Sequence, residues 1–225
     1  MSGTDEAKRT AARAALAELP DEGIIGLGTG STARFFLEEL AGLVRAGRRY
    51  VGVPTSRSSR QLAEELGIPL LDDAGPWTLD VTVDSADEVS DSLDLIKGGG
   101  AAHTREKIVN AASRKNVIVA DASKRVRRLG EKRAVPIEVV AFGHLALVER
   151  LGAWGQASVR TNGAEPVRTD DGNLVLDLAT GPIDDPRALD DALKAQPGVV
   201  ETGLFVGRAD VVLVAGDGGV IRLAR

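Results

Sequence analysis

The sequence predicts an α/β protein in which a domain with a mostly parallel sheet is joined to a smaller ferredoxin-like α+β domain. Over residues 1–130, apolar strands alternate with helices of about ten or more residues, which is typical of βαβ units. From residue 131 to 204 the order becomes βαββαβ, the split βαβ pattern. Residues 205–225 contain one more apolar strand pair, which we expect to return to the first sheet.

The predicted first domain begins with a helix over residues 5–19, where alanine and leucine recur at helical spacing until Pro20. A second helix is predicted over residues 31–47, with Ser31 or Thr32 as its N-cap. Further helices read SRQLAEELG and AAHTREKIVNAASRK. The predicted strands of this domain read GIIGLGTG, RYVGVPTS, IPLLD, LDVTVDSADE and NVIVADASK.

The predicted smaller domain contains four strands and two helices. Asp171-Gly172 predicts a hairpin turn between its second and third strands, because this dipeptide favours tight turns. The strands read VPIEVV, ASVRT, NLVLDLA and GVVETGLFV, and the helices read GHLALVERLG and DPRALDDALKAQ.

Composition excludes several classes of protein. The formal net charge is -5, so no overall field attracts the chain to nucleic acid or anionic lipid. The chain has no cysteine, which rules out a disulfide framework and a cysteine-bound metal. No apolar window reaches the roughly 20 residues of a membrane span, and the charged start is unlike a signal peptide. We therefore expect a cytoplasmic protein with no nucleic-acid or membrane partner.

The stretch GLGTGST joins a predicted strand to a predicted helix. Its Gly28-x-Gly30-x-x-Ala33 spacing fits a dinucleotide fingerprint, but the next strand ends in VGVPTS, without the carboxylate that such a site needs. A single phosphate at the helix N-terminus, beside the hydroxyl groups of Ser31 and Thr32, fits better. A glycine turn followed by a capped helix, with no ligand, remains the alternative.

The stretch DSADE lies at the predicted carboxyl end of a strand, where open parallel sheets bind ligands. Asp84 and Asp87 could there hold different protonation states, one as an acid and one ionised. A Mg²⁺ site and a solvated acidic turn are alternatives. A histidine-based metal site has little support, because the only histidines are His103 and His144.

The stretch KGGGAAHTREK contains three adjacent glycines between a lysine and a glutamate. Glycines permit a close backbone approach to a ligand. Glu106, in the first two turns of a predicted helix, could act as a general base, because the helix N-terminus favours its ionised form, and Lys97 could stabilise an oxyanion. A solvated glutamate without a catalytic role is the alternative. The basic run KRVRRLGEKR reads as a solvated face, except that Lys124 follows a strand end and could contact a phosphate.

Taken together, GLGTGSTA, DSADE, KGGGAAHTREK and ADASK closely resemble the A-type ribose-5-phosphate isomerase family in order and spacing. The resemblance runs over nearly the whole chain, including PGVVETGLF and ADVVLV. It implies a Rossmann-like domain with a ferredoxin-like domain and interconversion of ribose 5-phosphate and ribulose 5-phosphate. It further implies a sugar-phosphate substrate, no metal or other cofactor, and a homodimer or tetramer.

The resemblance also implies a role for individual residues. Glu106 would transfer the proton between C2 and C1, and Lys97 would stabilise the enediolate oxygens. Asp84 and Asp87 would assist ring opening and move protons between O1 and O2. The residues implied in binding the substrate are Thr29, Gly30, Ser31, Thr32, Ser85, Ala86, Gly98, Gly99, Gly100, Lys124 and, on a weaker motif, Lys8.

Two positions depart from the family pattern. Ser85 stands where a glycine is usual, so a positive φ there would strain the backbone and disturb Asp84. His103 replaces a less polar residue, and we interpret it as a tolerated substitution.

Two other functions are open: a non-catalytic sugar-phosphate sensor, and a sugar-phosphate deaminase or acyl-transfer enzyme on a similar sheet. The sheet pattern starts by residue 23, after a single predicted helix, so we expect no DNA-binding module of the kind that such a sensor carries.

Overall fold

The computed structural model describes residues 3–216 and 218–225. Contacts within the chain divide it into two compact units. The first unit comprises Met1–Ala86, Arg105–Lys124 and Arg208–Arg225, and the second comprises Asp87–Thr104 and Arg125–Gly207. The predicted bounds of the smaller domain, 131 and 204, stay a prediction.

Six α-helices and fifteen strands make up the secondary structure of the described residues. No helix among these residues is long and apolar enough to cross a membrane. The helices are α1 (Gly3–Ala15), α2 (Ser31–Arg45), α3 (Arg57–Glu65), α4 (His103–Ala111), α5 (His144–Leu151) and α6 (Pro186–Lys194), with short 3₁₀ turns at Leu16–Glu18 and Ala122–Lys124. The strands are β1 (Gly23–Leu27), β2 (Tyr50–Pro54), β3 (Val81–Ser85), β4 (Glu88–Val89), β5 (Leu95–Ile96), β6 (Asn116–Asp121), β7 (Val135–Val139), β8 (Gln156–Val159), β9 (Thr161–Asn162), β10 (Glu165–Pro166), β11 (Leu174–Ala179), β12 (Val199–Thr202), β13 (Leu204–Phe205), β14 (Val211–Gly216) and β15 (Gly219–Ala224).

A six-stranded sheet forms the centre of the first unit, in the order β15-β14-β6-β3-β1-β2. All pairs are parallel except β14 with β15, which confirms the predicted α/β class with a mostly parallel sheet. The last strand pair returns to this sheet, as the sequence predicted. Parallel order aligns the carboxyl ends of β1, β3 and β6 along one edge, where ligands bind in open sheets.

The stretch IPLLD forms only one parallel bridge, between Gly52 and Leu70, and the prediction of a full strand there was wrong. Gly52 N donates to Pro69 O and Leu71 N donates to Gly52 O. Proline has no N–H to extend the ladder, and the next residues turn away, since Asp72 accepts a hydrogen bond from Ala74 N.

The core of the first unit lies between this sheet and the helices that cover it. One face of α2 is buried through Phe36, Leu37 and Leu40, which pack in the same cluster as Ile25 and Leu27 of β1. The recurrence at three and four residues is the amphipathic pattern that predicted the helix. Because α2 begins directly after the loop that follows β1, this packing fixes where the glycine loop leaves the sheet.

A four-stranded antiparallel sheet, in the order β12-β7-β11-β8, forms the main part of the second unit. β11 lies between β7 and β8, and α5 connects those two strands, so the predicted split βαβ pattern is present. Its core contains Ile137, Leu147, Leu176 and Leu193 from both helices and the sheet. Gly172, with a φ of 86°, lies in the turn before β11 that the sequence predicted.

Glu18 joins three separate segments of the first unit. Its carboxylate accepts hydrogen bonds from Lys115 Nζ at 2.6 Å and from Arg222 Nε at 2.6 Å. The hydrogen bond from Arg222 is the main cause that lowers the pKa of Glu18 from 4.5 to about 2; burial opposes it, and Lys115 lowers the pKa further. The folded state therefore keeps this carboxylate ionised at a pH where the unfolded chain binds a proton.

We expect Glu18→Gln to lower the free energy of unfolding by about 1–2 kcal/mol at neutral pH. Water weakens the ion pair with Arg222, whose side chain is half exposed, so the expected loss is smaller than the pKa change alone would give. The difference in unfolding free energy between the variant and the wild type should have its full size above pH 4.5. It should shrink as the pH falls towards 2, because protonation removes the same ion pairs from the wild type. Urea unfolding across this pH range measures it. Glu22→Gln, which breaks an exposed pair with Arg49, is the control and should change little. A Glu18 effect independent of pH would contradict the ion-pair explanation.

Candidate active site

Asp84, at the carboxyl end of β3, binds the glycine loop that follows β1. Its Oδ1 accepts hydrogen bonds from Thr29 N at 3.0 Å and from Ser85 N at 2.7 Å. The residue is only 2% exposed. A Cβ on Gly28 would lie 2.5 Å from Asp84 Cα, so the close approach of these two backbone segments requires glycine at position 28. The structure thus brings together Thr29, Asp84 and Ser85, all of which the sequence predicted as site residues.

Ser85 does not strain the backbone. Among the described non-glycine residues, only Leu93 and Ala101 have a positive φ, and Ser85 ends a regular strand. Its Oγ donates a hydrogen bond of 2.8 Å to Thr29 O. The conditional expectation that serine would disturb Asp84 is therefore not met: the side chain adds a link between the loop after β1 and the end of β3.

A cluster of hydroxyl groups that the sequence analysis did not single out surrounds the Thr29 side chain. Thr29 Oγ1 lies 2.8 Å from the Oγ1 atom of Thr55, 2.8 Å from the Oγ atom of Ser56 and 2.9 Å from that of Ser59. Ser59 Oγ donates to Gly28 O at 2.9 Å, and Ser56 caps α3 by accepting from Ser59 N. The hydroxyl-rich stretch PTSRSS after β2 was the available signal, since it follows a neighbouring parallel strand.

The N-cap of α2 is Gly30, and the prediction of Ser31 or Thr32 at this position was wrong. Gly30 has a φ of 107° and a ψ of 173°, a conformation that favours glycine, and its carbonyl accepts the first helical hydrogen bond from Arg34 N. No side chain caps the helix. Ser31 and Thr32 instead occupy the first turn of the helix, where backbone N–H groups and the positive end of the helix dipole favour an anion.

Four further predicted residues lie in the first unit. Glu106 is in the first turns of α4 and is only 4% exposed. Lys124 ends the short 3₁₀ turn that follows β6, and Lys8 lies on α1, which packs against β6. Within the described part of their unit, no hydrogen bond or ion pair joins either lysine to another predicted site residue. Ala86 directly follows β3 and is buried.

Lys97, in the second unit, is only 3% exposed, which is unusual for a lysine. Its backbone N donates to Gly203 O at 2.9 Å, and its ammonium group lies 5.4 Å from the centroid of the Phe205 ring, within the range of a cation–π contact. A Cβ on Gly203 would lie 2.3 Å from Lys97 O. The backbone around this lysine is therefore tightly constrained.

The three glycines after Lys97 are ordered by contacts within the second unit. Gly98 has a φ of 103°, and a Cβ there would lie 2.6 Å from His103 Nδ1. His103 is fully buried, and its Nε2 lies 3.3 Å from Glu201 O. Gly99 N donates to Asp87 Oδ2 at 2.7 Å. The structure thus joins Asp87 to the glycine loop, whose exposed part is Gly99 and Gly100.

A cavity of about 380 Å³ opens in the second unit beside Asp87 and Gly99. Its other side chains include four charged groups that the sequence analysis did not assign to a site. Lys132 and Arg133 belong to the basic run interpreted as a solvated face, Arg160 directly follows β8, and Asp177 lies in β11. The cavity is lined by Asp87, Gly99, Lys132, Arg133, Ala134, Pro136, Arg160 and Asp177.

The described residues contain no group of three or more histidine, aspartate or glutamate side chains arranged to hold a metal ion. The acidic residues of DSADE are instead engaged with backbone N–H groups. Glu88, for example, accepts hydrogen bonds from Gly130 N, Lys132 N and Arg133 N at 2.6–2.7 Å.

Comparison with known proteins identifies the family. The sequence model described as ribose 5-phosphate isomerase A (phosphoriboisomerase A) matches residues 51–219. The ribose-5-phosphate isomerase A of Caulobacter vibrioides is 50% identical over 228 residues, which cover 97% of this chain and 98% of the relative. The chain belongs to the ribose 5-phosphate isomerase A family. The resemblance seen in the sequence is thereby confirmed.

Solved isomerase structures share the whole fold. A D-ribose-5-phosphate isomerase in complex with phospho-erythronic acid is 39% identical, with a TM-score of 0.95 over 99% of this chain and 100% of that chain. The ribose 5-phosphate isomerase A of Methanocaldococcus jannaschii is 37% identical, with a TM-score of 0.93 and the same coverage. The family match starts at residue 51, but these full-length similarities also include the glycine loop after β1.

Gly28→Ala should destabilise this isomerase-family fold by about 2 kcal/mol, because the added Cβ would lie 2.3 Å from Asp84 Oδ1 and would force two strand ends apart. Gly42→Ala is the matched control, because the position is inside α2 and, apart from its chain neighbours and the adjacent helix backbone, no atom of the described residues lies within 4 Å of the added Cβ. It should stabilise the protein by about 0.5–1 kcal/mol. Urea unfolding measures both, and equal effects of the two substitutions would contradict the close approach at Gly28.

Proposed function

We propose that this protein interconverts D-ribose 5-phosphate and D-ribulose 5-phosphate, a step of the non-oxidative pentose phosphate pathway. The observation that carries the proposal is the match over 99% of the chain to an isomerase in complex with phospho-erythronic acid. That ligand is a phosphorylated sugar acid, close in chemical class to the proposed substrate. The motifs of both units lie within the matched length.

Glu106 transfers the proton in the proposed mechanism. Aldose-to-ketose conversion moves a hydrogen from C2 to C1 through an enediolate, so one carboxylate can remove the proton and return it to the adjacent carbon. Two features support this role for Glu106: its burial, and its position in the first turn of α4. The N-terminus of a helix favours the ionised form that a base needs.

Lys97 stabilises the negative charge that develops on the enediolate oxygens. Its burial supports this role, because a fixed charge with little access to water acts more strongly than a solvated one. Asp84 and Asp87 assist ring opening and move protons between O1 and O2. Their carboxylates are oriented by backbone N–H groups, Thr29 N for Asp84 and Gly99 N for Asp87.

The substrate phosphate binds at the start of α2 in this proposal. Two features support an anion site there: no side chain caps the N-terminus of α2 at Gly30, and Ser31 and Thr32 carry hydroxyl groups in the first turn. Lys124 and Lys8 supply positive charge on the phosphate side. The remaining proposed substrate contacts are Thr29, Ser85, Ala86, Gly98, Gly99 and Gly100.

The reaction is proposed to need no metal or other cofactor and to take place in the cytoplasm. Nucleic acid and membranes are not proposed partners, in keeping with the net charge of -5.

The decisive experiment mixes purified protein with ribose 5-phosphate and excess EDTA and follows the formation of ribulose 5-phosphate. We expect conversion by the wild type and a kcat about 10²–10⁴-fold lower in Glu106→Gln, because the amide cannot accept the proton. KM should change little. Glu65→Gln, at an exposed helical position, is the matched control and should retain full turnover.

Each contrary result has a distinct meaning. Turnover of Glu106→Gln within a few-fold of wild type would remove Glu106 from the base role. Loss of wild-type activity in EDTA, restored by a divalent ion, would overturn the metal-free reaction. Binding of ribose 5-phosphate without conversion would refute the isomerase and favour a sugar-phosphate sensor.

We also propose that the chain forms a homodimer or a tetramer. The family resemblance suggests an oligomer, and an exposed apolar segment of the second unit offers a surface for it: Phe142 is 95% exposed, and Val140 and Leu145 lie close to it in the chain. Phe142→Asp combined with Leu145→Asp should lower the mass measured by light scattering. Ile221→Asp, at another exposed apolar position, should leave it unchanged. A wild-type mass of a single chain would contradict the proposal.

A further inference from the structure

Arg160 and Asp177 form an ion pair on the four-stranded sheet of the second unit. Arg160 directly follows β8; its N donates to Val175 O at 2.8 Å, and its O accepts from Val167 N at 2.9 Å. Asp177 lies in β11, an inner strand, opposite Ser158 of β8. Backbone hydrogen bonds of the sheet therefore fix the positions of both residues independently of the contact between their side chains.

The pair is bidentate. Arg160 Nε donates to Asp177 Oδ2 at 2.9 Å, and Arg160 Nη2 donates to Asp177 Oδ1 at 2.5 Å. The side chains are 17% and 28% exposed. Because the guanidinium group is planar, two parallel hydrogen bonds set the direction of its remaining nitrogen, Nη1.

Nη1 contacts the glycine loop. It donates to Gly98 O at 2.7 Å and to Gly99 O at 3.1 Å. In a trans peptide the C=O and N–H groups point in opposite directions. The peptide between Gly98 and Gly99 is accordingly held from two sides, its carbonyl by Arg160 and its N–H by Asp87 at 2.7 Å.

We infer that Arg160, oriented by Asp177, is a positioning residue that holds the backbone of Gly98 and Gly99 in the conformation used for catalysis. Three adjacent glycines have no side chains whose contacts could fix their backbone, and glycine loses more conformational freedom on folding than any other residue. The same loop begins at Lys97 and holds Asp87, both assigned to catalysis above. The inference rests on the proposed isomerase function, but the clamp itself is a structural property that can be measured separately.

The test compares Arg160→Met with Arg128→Met in the full-length protein. Methionine retains an apolar stem but removes every donor. Arg128 is the matched control, because it also forms an ion pair, with Asp184, in the same unit, and its hydrogen bonds within the described residues do not reach the glycine loop. Hydrogen–deuterium exchange of peptides spanning residues 97–102 measures the clamp, and steady-state kinetics with ribose 5-phosphate measures its consequence.

For Arg160→Met we expect exchange at residues 97–102 to become at least about tenfold faster, while the rest of the second unit keeps its wild-type rate. We expect kcat to fall about 10²-fold, since a misplacement of about 1 Å has that effect, and KM to rise much less. Arg128→Met should change neither. If the wild type shows no isomerase activity, the proposed function fails, and exchange alone decides whether the clamp exists.

The double variant Arg160→Met/Asp177→Asn excludes a simpler cause, a carboxylate left unpaired. If the clamp is responsible, the double variant stays as slow as Arg160→Met. Recovery of wild-type turnover in the double variant would overturn the inference. Unchanged exchange at 97–102, faster exchange throughout the unit, or faster local exchange with normal kcat would each overturn it as well.

Discussion

Carboxylates that accept backbone N–H groups determine the shape of the loops that carry the candidate active site. A buried N–H needs an acceptor, and an ionised carboxyl group accepts strongly and from more than one donor. The segment DSADE supplies three such groups: Asp84 binds Thr29 N, Asp87 binds Gly99 N, and Glu88 binds Gly130 N, Lys132 N and Arg133 N. A short acidic stretch thereby orders glycine and basic loops that are distant in the sequence.

The glycines serve two different purposes in these loops. Gly28 is needed because Asp84 Cα comes too close for a side chain, and Gly30 is needed mainly for its positive φ. Both reasons apply to Gly98, which has a positive φ and whose Cβ would lie 2.6 Å from His103 Nδ1. Both purposes leave a backbone with little intrinsic order, which must be fixed from outside. Asp84 and Ser85 do this after β1, and Asp87 with Arg160 does it after Lys97. The proposed proton transfer depends on such fixed placement of charged groups.

Much of the fold was predictable because the signals are local. Apolar periodicity located the helices, and the alternation of strands with helices predicted the parallel sheet and the split βαβ unit. The errors were also local in origin. IPLLD has the composition of a strand but lacks an N–H at Pro69. The hydroxyl groups of Ser31 and Thr32 suggested an N-cap residue, but the N-cap is Gly30, whose positive φ favours glycine. Short strands such as β4 and β9, only two residues each, have too little pattern to predict.

The sequence by itself determined the residue types of the candidate site: the glycine loops, the acids of DSADE, Lys97 and Glu106 are all visible as motifs in GLGTGST, DSADE and KGGGAAHTREK. Only the tertiary structure decided what holds them. Arg160 and Asp177 stand in ordinary strand sequences, and nothing local connects them to Gly98. Their contact depends on the register of β8 against β11, which is set by the packing of the whole sheet rather than by any neighbouring residue.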